Sequence, residues 1–182
     1  MRIVSGRFGS RSLKTLSGDT TRPTSDKIRG AIFNKIGPYF DEGRFLDVFG
    51  GSGAMSFEAL SRGMSHATIL EKDRKAQLII KENAKTLGVE KQINLISGDS
   101  KSRIEGLSGT YDIIFLDPPY AYEHTEKIVE RILELGLAHD DTHIIVETDG
   151  KRIIADTLGD FEKVDLKDYK ATHIHYFEKK VD

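Results

Sequence analysis

The sequence contains no cysteine. That excludes disulfides and any zinc site built on thiolates. It has no apolar run approaching the roughly 20 residues that cross a bilayer, and its first residues lack the apolar core of a secretory signal. A soluble, cytoplasmic chain without membrane contact is therefore expected. Internal repeats and low-complexity tracts are also missing. The chain has little net charge, only -2, so the overall balance says nothing about nucleic acid. What remains is 182 residues, a length that suits one domain with a single sizeable core.

The charge is unevenly placed. Residues 1–35 carry Arg2, Arg7, Arg11, Lys14, Arg22, Lys27, Arg29 and Lys35 against Asp19 and Asp26, a net of +6 that leaves -8 for the remainder. A basic extension over 1–40, packed on an acidic domain within one 1–182 unit, is the expectation. Arg2, Arg7, Arg11, Lys14, Arg22 and Lys27 are its candidates for meeting phosphates.

The chain is organised around Phe45–Arg62, FLDVFGGSGAMSFEALSR. A short apolar run holding Asp47 meets Gly50-Gly51-Ser52-Gly53, and helical spacing follows through Met55, Ala59 and Leu60. This reads as strand, glycine turn, helix, the first half of a nucleotide-binding crossover. The spacing Asp47-x-Phe49-x-Gly51-x-Gly53 does not match the G-x-G-x-x-G of dinucleotide sites. It resembles the first motif of class I S-adenosylmethionine-dependent methyltransferases, whose cofactor has no phosphate but carries a cationic amino acid tail.

Around this centre the pattern alternates. Two short strands, about Arg2–Ser5 and Ser12–Thr15, are expected to form a hairpin. Thr24-Ser25-Asp26 offers an N-cap to a helix with Ile28, Ala31, Ile32 and Ile36 on one face, ended near Gly37-Pro38. Further strands are expected at Ala67–Glu71, Gln92–Ile96, Tyr111–Asp117 and His143–Glu147, with a terminal antiparallel pair at Phe161–Leu166 and Thr172–Phe177. Helices are expected from the Asp73 cap to Leu87, over Ser100–Ile104 and Thr125–Leu135, and near Arg152–Leu158. The order implies an α/β fold with a doubly wound, mostly parallel sheet of seven strands, binding its ligand at the strands' carboxyl ends.

Four successive strands finish on or near an acid: Asp47, Glu71, Asp99 and Asp117. In a parallel sheet these ends share one rim. Glu71 is placed to accept from ribose hydroxyls, and Asp99 from an adenine amino group. Asp117-Pro118-Pro119-Tyr120 adds a rigid loop, since two prolines can neither extend a strand nor enter a helix. An exocyclic amino group is a poor nucleophile because its lone pair is delocalised into the ring. A fixed carboxylate and a fixed carbonyl that accept its two hydrogens would hold it pyramidal, and Tyr120 would stack on the base.

Asp-Pro-Pro-Tyr is similar to the catalytic motif of amino-group N-methyltransferases. With MRIVSGRFGSRSLKT, RPTSDKIRGAIFN and DVFGGSGAMSFEALSRG, nearly the whole chain resembles the RsmD family of bacterial small-subunit ribosomal RNA methyltransferases. The resemblance implies methyl transfer from S-adenosylmethionine, leaving S-adenosylhomocysteine, to the 2-amino group of a guanine in 16S ribosomal RNA. The RNA would be free or in an assembling small subunit, and the enzyme a monomer. It places catalysis on Asp117, Pro118, Pro119 and Tyr120. It places the cofactor on Asp47, Phe49, Gly51, Ser52, Gly53, Glu71, Lys72, Asp99 and Ser100. Where the family has a Tyr-Gly-x-Thr strand entry, this chain has Tyr169-Lys170-Ala171-Thr172. Other readings are a DNA or other RNA amino-methyltransferase, a protein glutamine methyltransferase, and a binding module without turnover. No metal is expected: His173 and His175 share a strand face but lack a third ligand.

Overall fold

The computed structural model describes residues 1–16 and 25–181. Helix α1 (Asp26–Ile36) is capped by the Ser25 hydroxyl, which accepts from the Ile28 amide. Strand β1 (Arg44–Asp47) runs through the glycine turn into α2 (Ala54–Ser61). Strand β2 (His66–Glu71) leads to α3 (Arg74–Leu87), which Asp73 caps and Gly88 ends in a left-handed turn. Strand β3 (Ile93–Ser97) and the single-turn α4 (Ser100–Arg103) follow. Then come β4 (Tyr111–Leu116), α5 (Thr125–Glu134), β5 (Ala138–Asp149), β6 (Thr157–Leu158), β7 (Phe161–Asp168) and β8 (Thr172–Lys179).

These strands make one sheet in the order β3-β2-β1-β4-β5-β8-β7-β6. The first five are mutually parallel; β8, β7 and β6 are added antiparallel. The doubly wound, mostly parallel sheet is the expected one, with eight strands rather than seven. Both faces are covered. Phe33, Phe45, Phe57, Ile69 and Ile80 pack on one side, and Leu46, Val48, Ile114, Ile132 and Phe177 on the other. Among the described residues no helix is long and apolar enough to cross a membrane.

Two local expectations fail for physical reasons. The helix expected near Arg152–Leu158 is absent. The Asp149 carboxylate accepts from the Lys151 and Arg152 amides, closing a turn, and the chain then runs extended into β6. Ile154 and Leu158 are both buried, and a separation of four suits a helix face and an extended face equally. The N-terminal hairpin shrinks to one bridge, Arg2 with Ser12. The Ser5 amide, next in line after the Ile3 amide that donates to the Arg11 carbonyl, donates instead to Glu58 at 3.1 Å, beside the Val4 amide at 2.9 Å. The Arg7 amide donates to the Ser61 carbonyl.

Glu58 is fully buried on α2. Besides the two amides its carboxylate accepts from Arg29 Nε at 3.1 Å and Arg62 Nε at 2.9 Å. One side chain thus fastens the N-terminal segment, α1 and the end of α2 together. Arg29 also binds Asp26 at 2.8 Å and the Arg2 carbonyl. Ile3 and Leu13 are buried in the core shared with α1 and α2. A Glu58→Gln variant keeps the volume but takes the anion from buried Arg62 and leaves buried Arg29 with Asp26. It should lose about 3–5 kcal/mol of stability, the range for breaking a buried ion pair from one side. Urea unfolding measures this, and a loss below about 1 kcal/mol would reduce the cluster to a surface-type pair.

Candidate functional site

A cavity of about 730 Å³ opens along the carboxyl ends of β1, β2, β4 and β5. Register explains what gathers there. Asp47 pairs with Ile69 on one side and Phe115 on the other, so Asp47, Glu71 and Asp117 project toward the same sheet face. The cavity wall holds Asp47, Phe49, Gly51, Ser52, Glu71, Lys72, Asp99 and Ser100 together with Asp117, Pro118, Pro119 and Tyr120. Of the residues assigned to cofactor or chemistry, only Gly53 lies outside the lining. It acts locally instead, as the left-handed residue before α2 with φ +83°.

The turn is built by the acids as well as the glycines. Glu71 accepts from the Gly51 amide at 2.8 Å and from the Asp73 amide at 2.7 Å, joining the turn after β1 to the start of α3. Gly51 has φ +57°, and a Cβ there would project into open space. Asn83 on α3 donates to the Ser52 and Lys14 carbonyls and accepts from the Lys14 amide, tying the turn to the N-terminal segment. The Ser100 hydroxyl is turned inward to the Val48 carbonyl, so its side chain braces the wall rather than facing a ligand. Asp99 stands exposed at the start of α4 and makes no capping bond.

Electrostatically the site is short of cations. Burial pushes the Asp47 carboxyl well above the ordinary carboxylate range; the Ser56 hydroxyl at 2.8 Å pulls the other way, and the Glu71 charge adds to the rise. Asp117 is likewise raised well above that range, first by burial and then by the charges of Glu147 and Asp47. Among the described residues no lysine or arginine forms an ion pair with Asp47 or Asp117. S-adenosylmethionine fits this set. It carries an ammonium and a sulfonium, and a cavity with underpaired carboxylates above an open glycine turn suits both. Among the described residues no group of three or more potential ligands could hold a metal.

The sequence did not single out Glu147, Thr148 and Tyr122, which also line the cavity. Tyr122 packs edge-on against Phe49, with centroids 5.3 Å apart, and closes the wall near Asp99. Glu147 ends the strand reading His143–Glu147, so the rule that found four acids at strand ends would have found it too. Tyr120 is 85% exposed at the mouth, and no ring of the described residues stacks on it.

The basic segment divides. Arg2, Arg7, Arg11, Lys14 and Lys27 are exposed, while Arg22 lies outside the described residues. Arg7 donates to Gln92 and lies over the Phe8 ring, Arg11 donates to the Thr86 carbonyl, and Lys14 pairs with Glu82. Arg29, counted in the positive excess, is buried in the Glu58 cluster, and Lys35 pairs with Asp165 at 2.7 Å.

The family described as "Conserved hypothetical protein 95" matches residues 1–178. A candidate rRNA methyltransferase of Bacillus subtilis, YlbH, is 37% identical over 99% of this chain and 100% of its own. Ribosomal RNA small subunit methyltransferase D of Haemophilus influenzae is 32% identical over 82% of this chain and 79% of its own. The structure of an Escherichia coli candidate methyltransferase, yhhF, is 27% identical, covers 100% of this chain and 99% of its own, and superposes with a TM-score of 0.87.

The raised carboxyls carry a pH signature. A folded chain that keeps protons on Asp47 and Asp117 is favoured below the unfolded value of about 4, and loses that contribution as pH rises through the folded values. An Asp47→Asn, Asp117→Asn double variant lacks this cost. Urea unfolding from pH 4.5 to 8 should show the variant gaining on the parent as pH rises. A constant difference would mean that the two acids ionise freely.

Proposed function

The chain belongs to the RsmD family, and from that membership we propose that it transfers the methyl group of S-adenosylmethionine to the exocyclic 2-amino group of a guanine in small-subunit ribosomal RNA. One observation carries the reading: the glycine turn and the Asp117-Pro118-Pro119-Tyr120 loop open into the same cavity of about 730 Å³.

S-adenosylmethionine, when bound, supplies an electrophilic methyl on a cationic sulfur. Everything else falls to the chain. Glu71 and the glycine turn hold the ribose and the amino acid tail, Asp99 takes the adenine amino group, and Phe49 with Tyr122 forms the apolar wall. Tyr120 offers an aromatic face to the guanine. Asp117 and a carbonyl of the proline loop accept the two amino hydrogens, which turns the nitrogen lone pair toward the methyl. The half-buried position of Asp117 strengthens such a bond by limiting competing water. The exposed arginines and lysines of residues 1–40 form the face for phosphates.

Asp117→Asn replaces an acceptor with an amide whose N–H would oppose the guanine N–H. Single-turnover methylation with saturating RNA should slow by more than about 100-fold, the scale for removing one oriented polar group, with cofactor affinity little changed. A near-parental rate would leave the loop as a structural turn.

Truncating residues 1–18 cannot test the phosphate face, because Ile3 and Leu13 would leave the core with it. Arg7→Glu with Arg11→Glu is the cleaner change. Losing two phosphate contacts should flatten the salt dependence of RNA binding, lowering its logarithmic slope by about 2. An unaltered slope would move the RNA to another face.

A further inference from the structure

Glu147 has no part in the reading above. Val146 pairs with Leu116 in the β4–β5 ladder, so the next residues, Glu147 and Asp117, are neighbours on one face just past the end of that ladder. Both line the cavity, and Glu147 is only 7% exposed. Side chains opposite each other on adjacent strands start about 4.8 Å apart, within reach of a carboxyl–carboxyl hydrogen bond, and such a bond is among the causes that raise Asp117. Two carboxyl groups can make that bond only with a proton between them, since two carboxylates offer acceptors alone.

We propose that Glu147 is a positioning residue: it shares one proton with Asp117, and the shared bond fixes the Asp117 carboxyl so that its cavity edge accepts the amino group of the base. The catalytic consequence rests on the methyl-transfer reading; the shared proton does not. As the nitrogen forms its bond to the methyl carbon, the sulfur–carbon bond breaks with its electron pair on sulfur, and the nitrogen must then shed a proton. A pair holding one proton and one negative charge has a place for it, and passes it to solvent through the open mouth.

The surroundings suit a pair that keeps its proton. Burial and the charges of Glu147 and Asp47 all raise Asp117. From β1, Asp47 faces it; from β2, Glu71 lies beyond Asp47 and Lys72 stands at the exposed rim. On and after β5, Asp149 caps its own turn and Arg152 leans 3.7 Å from Glu126. From β8, His175 reaches Thr148 at 2.9 Å, and burial lowers its pKa to about 4, so it adds no positive charge at neutral pH. His173 leans on Asp168 at 3.1 Å, and Tyr169 closes the far wall.

The full-length protein tests this in two ways. Carbon-13 NMR of side-chain carboxyls, without RNA and with Asp117→Asn for assignment, follows the titration of Asp117. In Glu147→Gln its midpoint should fall by about one pH unit or more, because the like charge is gone. Single-turnover methylation at neutral pH should slow about tenfold or more in Glu147→Ala, which frees the Asp117 carboxyl to rotate. Glu147→Gln, whose amide still donates to Asp117, should recover to within about threefold of the parent, with cofactor affinity unchanged in both. An Asp117 midpoint that stays put in Glu147→Gln, or a parental rate in Glu147→Ala, overturns the proposal. So does a Glu147→Gln rate as low as that of Asp117→Asn, since Glu147 would then touch the base itself. A parent protein that methylates no RNA would sink the functional reading, and the titration would still decide the shared proton.

Discussion

The buried Glu58 carboxylate is the contact on which the arrangement of this molecule depends. It accepts from two N-terminal amides and two guanidiniums, and the carboxylate and both arginines are buried away from water. Burying an anion is costly, and this one is offset by two cations and two oriented amides. Its helix, α2, begins at the glycine turn, so whatever fixes α2 also fixes the turn. The N-terminal segment is therefore part of the scaffold behind the cavity as well as a carrier of surface charge. Asn83 repeats the coupling nearer the rim, reaching both Lys14 and Ser52.

The cavity works on the opposite principle. Asp47 is buried and Asp117 half-buried, among the described residues no lysine or arginine pairs with either, and both carboxyls are raised. A protein that only needed stability would replace such groups with apolar ones. Acids kept underpaired in a cavity are the arrangement expected where a cationic ligand supplies the missing charge. The stability cost sits at the carboxyl ends of the strands, where parallel register brings the acids together.

The path from sequence to structure was clearest where one local rule acted alone. The glycine turn, the Ser25 and Asp73 caps, the Gly88 stop and the apolar stripe of α3 stand where periodicity and capping put them. Legibility failed where tertiary partners competed with local pattern. Val4 and Ser5 look like a strand, and a distant carboxylate takes their amides. Ile154 and Leu158 look like a helix face, and the Asp149 turn sets them on an extended path. Charge counting misread Arg29 because burial is not visible in composition. Ser100, expected at the cofactor, lines the cavity, but no spacing rule reveals that its hydroxyl turns inward to Val48. In the Tyr169–Thr172 departure Lys170 takes φ +69°, the left-handed conformation that glycine adopts without strain, and residue type alone does not reveal that angle.

The central claim is that this cavity methylates a guanine amino group in ribosomal RNA. The most direct measurement is to incubate the protein with labelled S-adenosylmethionine and small-subunit RNA or particles lacking the modification. The RNA is then digested to nucleosides and the labelled product identified by mass spectrometry. The account predicts a single labelled nucleoside, guanosine methylated at N2, absent with the Asp117→Asn variant. Label on any other atom or base, or none on RNA in any assembly state, would contradict it.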